Sequence, residues 1–67
     1  MTKDELIDKI LELEEELLDD YVYDLKGEEA AEINNNGVES QINYIFESCG
    51  EKNATKEILE LINRYEG

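Results

Sequence analysis

A chain of 67 residues with 19 Asp and Glu against 6 Lys and Arg carries a formal charge of -13, and that field repels nucleic acid and anionic lipid, which excludes direct binding to either. Leu, Ile, Val and Phe make up 18 of the 67 residues, above the roughly 20% floor below which charged chains stay disordered, so one small domain of modest stability is expected. One cysteine and no histidine leave no disulfide framework, no zinc site and no Ser-His-Asp or Cys-His catalytic arrangement.

The charge is uneven: residues 1 to 32 hold 13 acids and 3 bases, net -10, and residues 33 to 67 hold 6 acids and 3 bases, net -3. Met1 to Asp4 lead directly into charged sequence without the apolar stretch of a signal peptide, and no window approaches the apolar length of a membrane span. A cytoplasmic protein from a complete small reading frame is the expectation, with no membrane partner.

The first element reads as a helix from Thr2 to about Asp20. Thr2 is placed to cap it, with Glu5 completing a capping box and Asp4 favouring the positive end of the dipole. Leu6, Ile10, Leu13 and Leu17 share one face, with Ile7, Leu11 and Leu18 beside them. Residues 21 to 26, with Tyr21-Val22-Tyr23 ahead of Gly27, read as either helix or loop. From Glu28 the stretch EEAAEI is a short helix, and NNNG at Asn34 to Gly37 ends it. Asn36 is the expected N-cap of the next helix, whose inward side is Val38, Ile42, Ile45, Phe46 and Cys49 and which Gly50 terminates. Asn53 is expected to open the last helix, with Ala54, Ile58, Leu61, Ile62 and Tyr65 inward. The sum is an all-α fold, a single acidic domain over residues 1 to 67 built as a small compact bundle of three to four short helices.

On a wheel of about 100° per residue, Asp4, Asp8, Glu12, Glu15, Glu16 and Asp19 fall between about 160° and 280° from Leu6, with Glu5 beside them, opposite the leucines. An ordinary solvated face alternates Glu with Lys, whereas Asp8 with Glu12, Glu12 with Glu16 and Glu15 with Asp19 are like charges four apart, each costing a few tenths of a kcal/mol. Such a ladder, about 27 Å long over 18 helical residues, approaches the charge spacing of a nucleic acid. The same face is also read as plain solubilising charge with no specific partner.

In size and charge the chain resembles the small acidic nucleic-acid mimics with which phages block restriction or CRISPR enzymes. The resemblance implies a non-enzymatic inhibitor, of the anti-CRISPR or anti-restriction kind, that docks Asp4, Glu5, Asp8, Glu12, Glu15, Glu16 and Asp19 on a basic, normally nucleic-acid-binding surface. Tyr23 and Tyr44, which fall off the apolar stripes, are candidate interface anchors. Two alternatives are a structural module forming a helical homodimer through Ile7, Leu11 and Leu18, and an acidic antitoxin-like partner of a basic protein.

Other chemistries find little support. Cys49 lies on an apolar stripe as a small core residue, and the paired carboxylates lack an apolar pocket that would tune one of them for catalysis; no enzyme and no cofactor is expected. EINNNG from Glu32 to Gly37 has oxygen side chains at the first, third and fifth positions of a calcium loop and Gly at the sixth, but Asn43 stands where the bidentate Glu belongs, so no metal is expected. The helix VESQINYIFES holds no Lys or Arg, which removes a helix-turn-helix reading.

Overall fold

The computed structural model describes residues 1–67, and its chemistry begins at Thr2. The Thr2 hydroxyl accepts the Glu5 backbone N–H at 3.2 Å and the Glu5 carboxylate accepts the Thr2 N–H at 2.9 Å, which completes the capping box of helix α1, Lys3–Leu13. The helix then stops. It does not reach Asp20: Glu14 is extended at φ -163° and ψ 115°, and residues 15–18 form a turn in which the Leu17 and Asp19 N–H groups donate to the carbonyls of Glu14 and Glu16.

Two forces favour this break. If the helix ran on, Glu12 would stand one turn from Glu15 and Glu16, and Glu15 and Glu16 one turn from Asp19, with no basic residue among them to offset the repulsion. A straight helix would also hold Leu18 about 120° from Leu6. With the turn in place Leu18 is fully buried with Leu6 and Ile10, a gain of about 1.5–3 kcal/mol for a leucine.

Helix α2, Asp19–Lys26, contains Tyr21-Val22-Tyr23 and settles residues 21 to 26 as helix. A 3-10 turn, Gly27–Glu29, leads into helix α3, Ala30–Asn35. Glu32 and Asn34 are therefore helical and form no calcium loop. Helix α4, Val38–Cys49, is entered from Gly37 at φ 98°, a conformation open to glycine, and no side chain caps it; Asn36 does not take the N-cap role the sequence suggests. Gly50 at φ 83° alone separates α4 from helix α5, Glu51–Glu66, which starts two residues before Asn53.

These helices form an all-α bundle of about 28 × 22 × 19 Å. Helix α4 is central, packing on all four other helices, while α1 also packs on α5 and α2 on α3. One core joins them: Leu6, Ile10, Leu18, Val22, Ala30, Val38, Ile42, Ile45, Ala54, Ile58 and Ile62. Phe46, Cys49 and Leu61 lie partly buried at its margin, whereas Tyr65, read as inward, is half exposed near the C-terminal end of α5. Of the three residues assigned to a homodimer face, Leu18 belongs to the core, Ile7 is partly buried and Leu11 remains exposed. No helix is long and apolar enough to cross a membrane.

Candidate protein-binding surface

Ten carboxylates lie between Asp4 and Asp24. None of them takes part in an ion pair, because the three salt bridges of the molecule use Glu66, Glu29 and Glu60. The three lysines of the same half of the chain make their contacts elsewhere. Lys3 lies over the Phe46 ring at 5.2 Å, Lys9 pairs with Glu66 at 3.4 Å, and Lys26 reaches both Glu29 at 3.5 Å and the Tyr44 ring at 5.6 Å. Each contact ties the basic side chain to another part of the bundle.

The candidate residues divide accordingly. Asp4, Glu5, Asp8 and Glu12 are exposed along α1, and Glu15 and Glu16 are exposed on the turn that follows it. Because the helix ends at Leu13, the pairs Glu12–Glu16 and Glu15–Asp19 do not share one helix, and Asp4–Asp8, Asp8–Glu12 and, three apart, Glu5–Asp8 remain as the like-charged neighbours on α1. The acids form a helical row of about 12 Å from Asp4 to Glu12, followed by an acidic turn. Glu5 is held below the usual carboxylate range by the Thr2 backbone N–H first and the Thr2 hydroxyl second. Tyr23 is 57% exposed on α2. Tyr44 packs partly against the core beneath the Lys26 ammonium, so the two tyrosines do not present themselves equally.

Asp19 stands apart from the other acids. It is half-buried, and its Oδ1 accepts Nε2 of Gln41 at 2.6 Å; the same Nε2 donates to Asn34 Oδ1 at 2.8 Å. Gln41 is the one buried polar residue, and its Oε1 has no hydrogen-bond partner. Asp19 and Asn34 also line the one cleft in the surface, about 400 Å³, together with Leu11, Glu15, Glu16 and Asn35. The cleft opens where α1 breaks. Sequence reasoning missed Gln41, Asn34 and Leu11 as parts of one site, although a signal existed: position 41 falls at helical spacing between Val38 and Ile45, on a face that is otherwise apolar.

Across the bundle, the Tyr21 hydroxyl and Cys49 Sγ lie 3.7 Å apart. Burial first, then the Cys49 hydrogen bond and the electrostatic influence of Cys49 and Glu57, push the Tyr21 phenol up to about 12. The pair is part-buried beside the core.

No family model matches the chain, and neither does any curated protein or solved structure with which it was compared.

Proposed function

We propose that this protein acts without catalysis, by binding a basic protein surface of the kind that otherwise holds nucleic acid, and so inhibits its target. The observation that carries this reading is the separation of charge: ten carboxylates from Asp4 to Asp24 without an ion-pair partner, beside three lysines engaged elsewhere. Solubility alone is served by interspersed charges of both signs; drawing Lys3, Lys9 and Lys26 to other groups leaves more of the acidic field available to a partner. Helix α1 offers a short, firm row in Asp4, Asp8 and Glu12, and the following turn adds Glu14, Glu15 and Glu16.

The test is a binding assay with labelled octa-arginine as a basic probe, followed by a pull-down from host lysate at low and high salt. The triple variant D4K/D8K/E12K places its changes on exposed helix positions and is expected to fold. It should lose most of the probe affinity, and added salt should weaken the wild-type complex steeply. Full affinity in the triple variant, or binding indifferent to salt, removes the proposal.

A further inference from the structure

We infer that Asn36 is a site of spontaneous covalent modification, at which the side-chain amide is lost through a cyclic imide with the Gly37 nitrogen, leaving aspartyl and isoaspartyl forms of the chain. The chain has six asparagines. Asn34 and Asn35 belong to α3, Asn43 to α4, and Asn53 and Asn63 to α5, so Asn36 alone lies outside a helix. It is also the one asparagine followed by glycine. Asn36 and Gly37 are both exposed, and they are the whole connection between α3 and α4. The amide of Asn34 is engaged with Asp19 and Gln41, whereas that of Asn36 takes part in no side-chain hydrogen bond.

The step balances with water as the one co-reactant. The Gly37 nitrogen attacks Asn36 Cγ, the new N–Cγ bond closes the ring, the Cγ–Nδ2 bond breaks, and the Gly37 amide proton leaves with Nδ2 as ammonia. Water then opens the imide and returns a proton to the Gly37 nitrogen. Opening at Cγ gives Asp; opening at the main-chain carbonyl gives the isoaspartyl form. A side chain on the following residue hinders the attack, but at Gly37 no atom lies within 4 Å of where a Cβ would stand. The Asn36 backbone, at ψ -3°, must turn before the two atoms meet, and glycine adapts to the turn. Opposing it is the bond from the Gly37 N–H to the Asn34 carbonyl at 3.2 Å, the longest backbone bond outside the helices. At the other asparagines the same rotation breaks a helical ladder; the Ala54 N–H after Asn53, for example, donates to the Gly50 carbonyl at 2.8 Å. Either product adds one negative charge to the -13 of the chain. The isoaspartyl form also lengthens the backbone within the junction that the Gln41–Asn34 bond of 2.8 Å spans.

The experiment incubates the full chain at body temperature in mildly alkaline buffer, withdraws samples over days, and separates acidic species by ion exchange. Cleavage after Lys and Arg gives a fragment of residues 27–52 that holds Asn34, Asn35, Asn36 and Asn43, and tandem mass spectrometry locates the gain of one dalton within it. Methylation by an isoaspartyl methyltransferase reports the isoaspartyl share. The gain should map to Asn36, with both products present, at a rate within roughly tenfold of that of a free peptide of residues 32–41, because exposed connections open at little cost. Asn36→Gln, at an exposed position, should keep the helical circular dichroism of wild type and form almost none of the acidic species in the same time. A folded chain that keeps the Asn36 amide while the peptide loses it overturns the inference. Equal conversion at Asn43, Asn53 or Asn63, or acidic species in N36Q at the wild-type rate, overturns it as well.

Discussion

The buried carboxamide of Gln41 donates to the Asp19 carboxylate at 2.6 Å, fastening α4 to the first residue of α2 across 22 positions of chain. A hydrogen bond to a charged acceptor contributes about 1.5–3 kcal/mol, and much of the cost of deleting one partner is the buried group left behind. Asp19→Ala should therefore destabilise the domain by about 1–3 kcal/mol in urea unfolding. Gln41→Met removes the donor and the unpaired Oε1 together, and Asp19 and Asn34 retain access to water. It should change stability by less than about 1 kcal/mol. A Gln41→Met protein less stable than Asp19→Ala would contradict this account of the contact.

The core and the cleft wall should respond differently to the same kind of truncation. Ile42 is fully buried on the central helix, and Ile→Ala in such a place costs about 2–5 kcal/mol. A 67-residue domain holds only about 3–10 kcal/mol in total. Ile42→Ala should therefore remove a large share of the total and lower the urea midpoint sharply, as circular dichroism would report, whereas Leu11→Ala at its half-exposed site should stay within about 1 kcal/mol of wild type.

Tyr21 gives the domain an alkaline dependence. Its pKa rises from 10 to about 12 in the folded chain, chiefly by burial and then by its bond with Cys49. Between those values the unfolded state has released the phenolic proton and the folded state keeps it. Stability is therefore fully present below the lower value and falls as pH rises toward the upper one. Urea midpoints measured at pH of about 9 and about 11 should diverge for wild type, and Tyr21→Phe should remove the part of that fall due to this residue. An absorbance titration should show one tyrosine ionising near 12; its absence would refute the assignment.

At the acid end the relevant group is Glu5, held below its ordinary 4.5 by the two Thr2 bonds. A depressed carboxylate stabilises the fold above the ordinary value, and the contribution disappears as pH falls through the folded one. Thr2→Ala deletes the hydroxyl and loosens the remaining backbone bond. The Glu5 carboxyl resonance should then titrate closer to 4.5, and the first turn of α1 should exchange its amides faster.

The apolar periodicities of α4 and α5 were legible because each helix faces one core along its length: Val38, Ile42 and Ile45, then Ala54, Ile58 and Ile62, are buried as their spacing implies. The Thr2–Glu5 capping box was equally legible, being local. The end of α1 was not. Leu6, Ile10, Leu13 and Leu17 fit one uninterrupted stripe, and only competition with the core reveals that burying Leu18 and relieving the crowded carboxylates outweigh continuity.

Residue order alone therefore determined the all-α class, the capped start of α1 and the concentration of negative charge in the first half, since these follow from local spacing and composition. Tertiary structure decided the rest: the turn at residues 14–18, the burial of Leu18 and Gln41, and the cleft that joins Asp19 to Asn34. Those features depend on groups distant in sequence sharing one interior, and the free energy of that sharing is not written in any single stretch of chain.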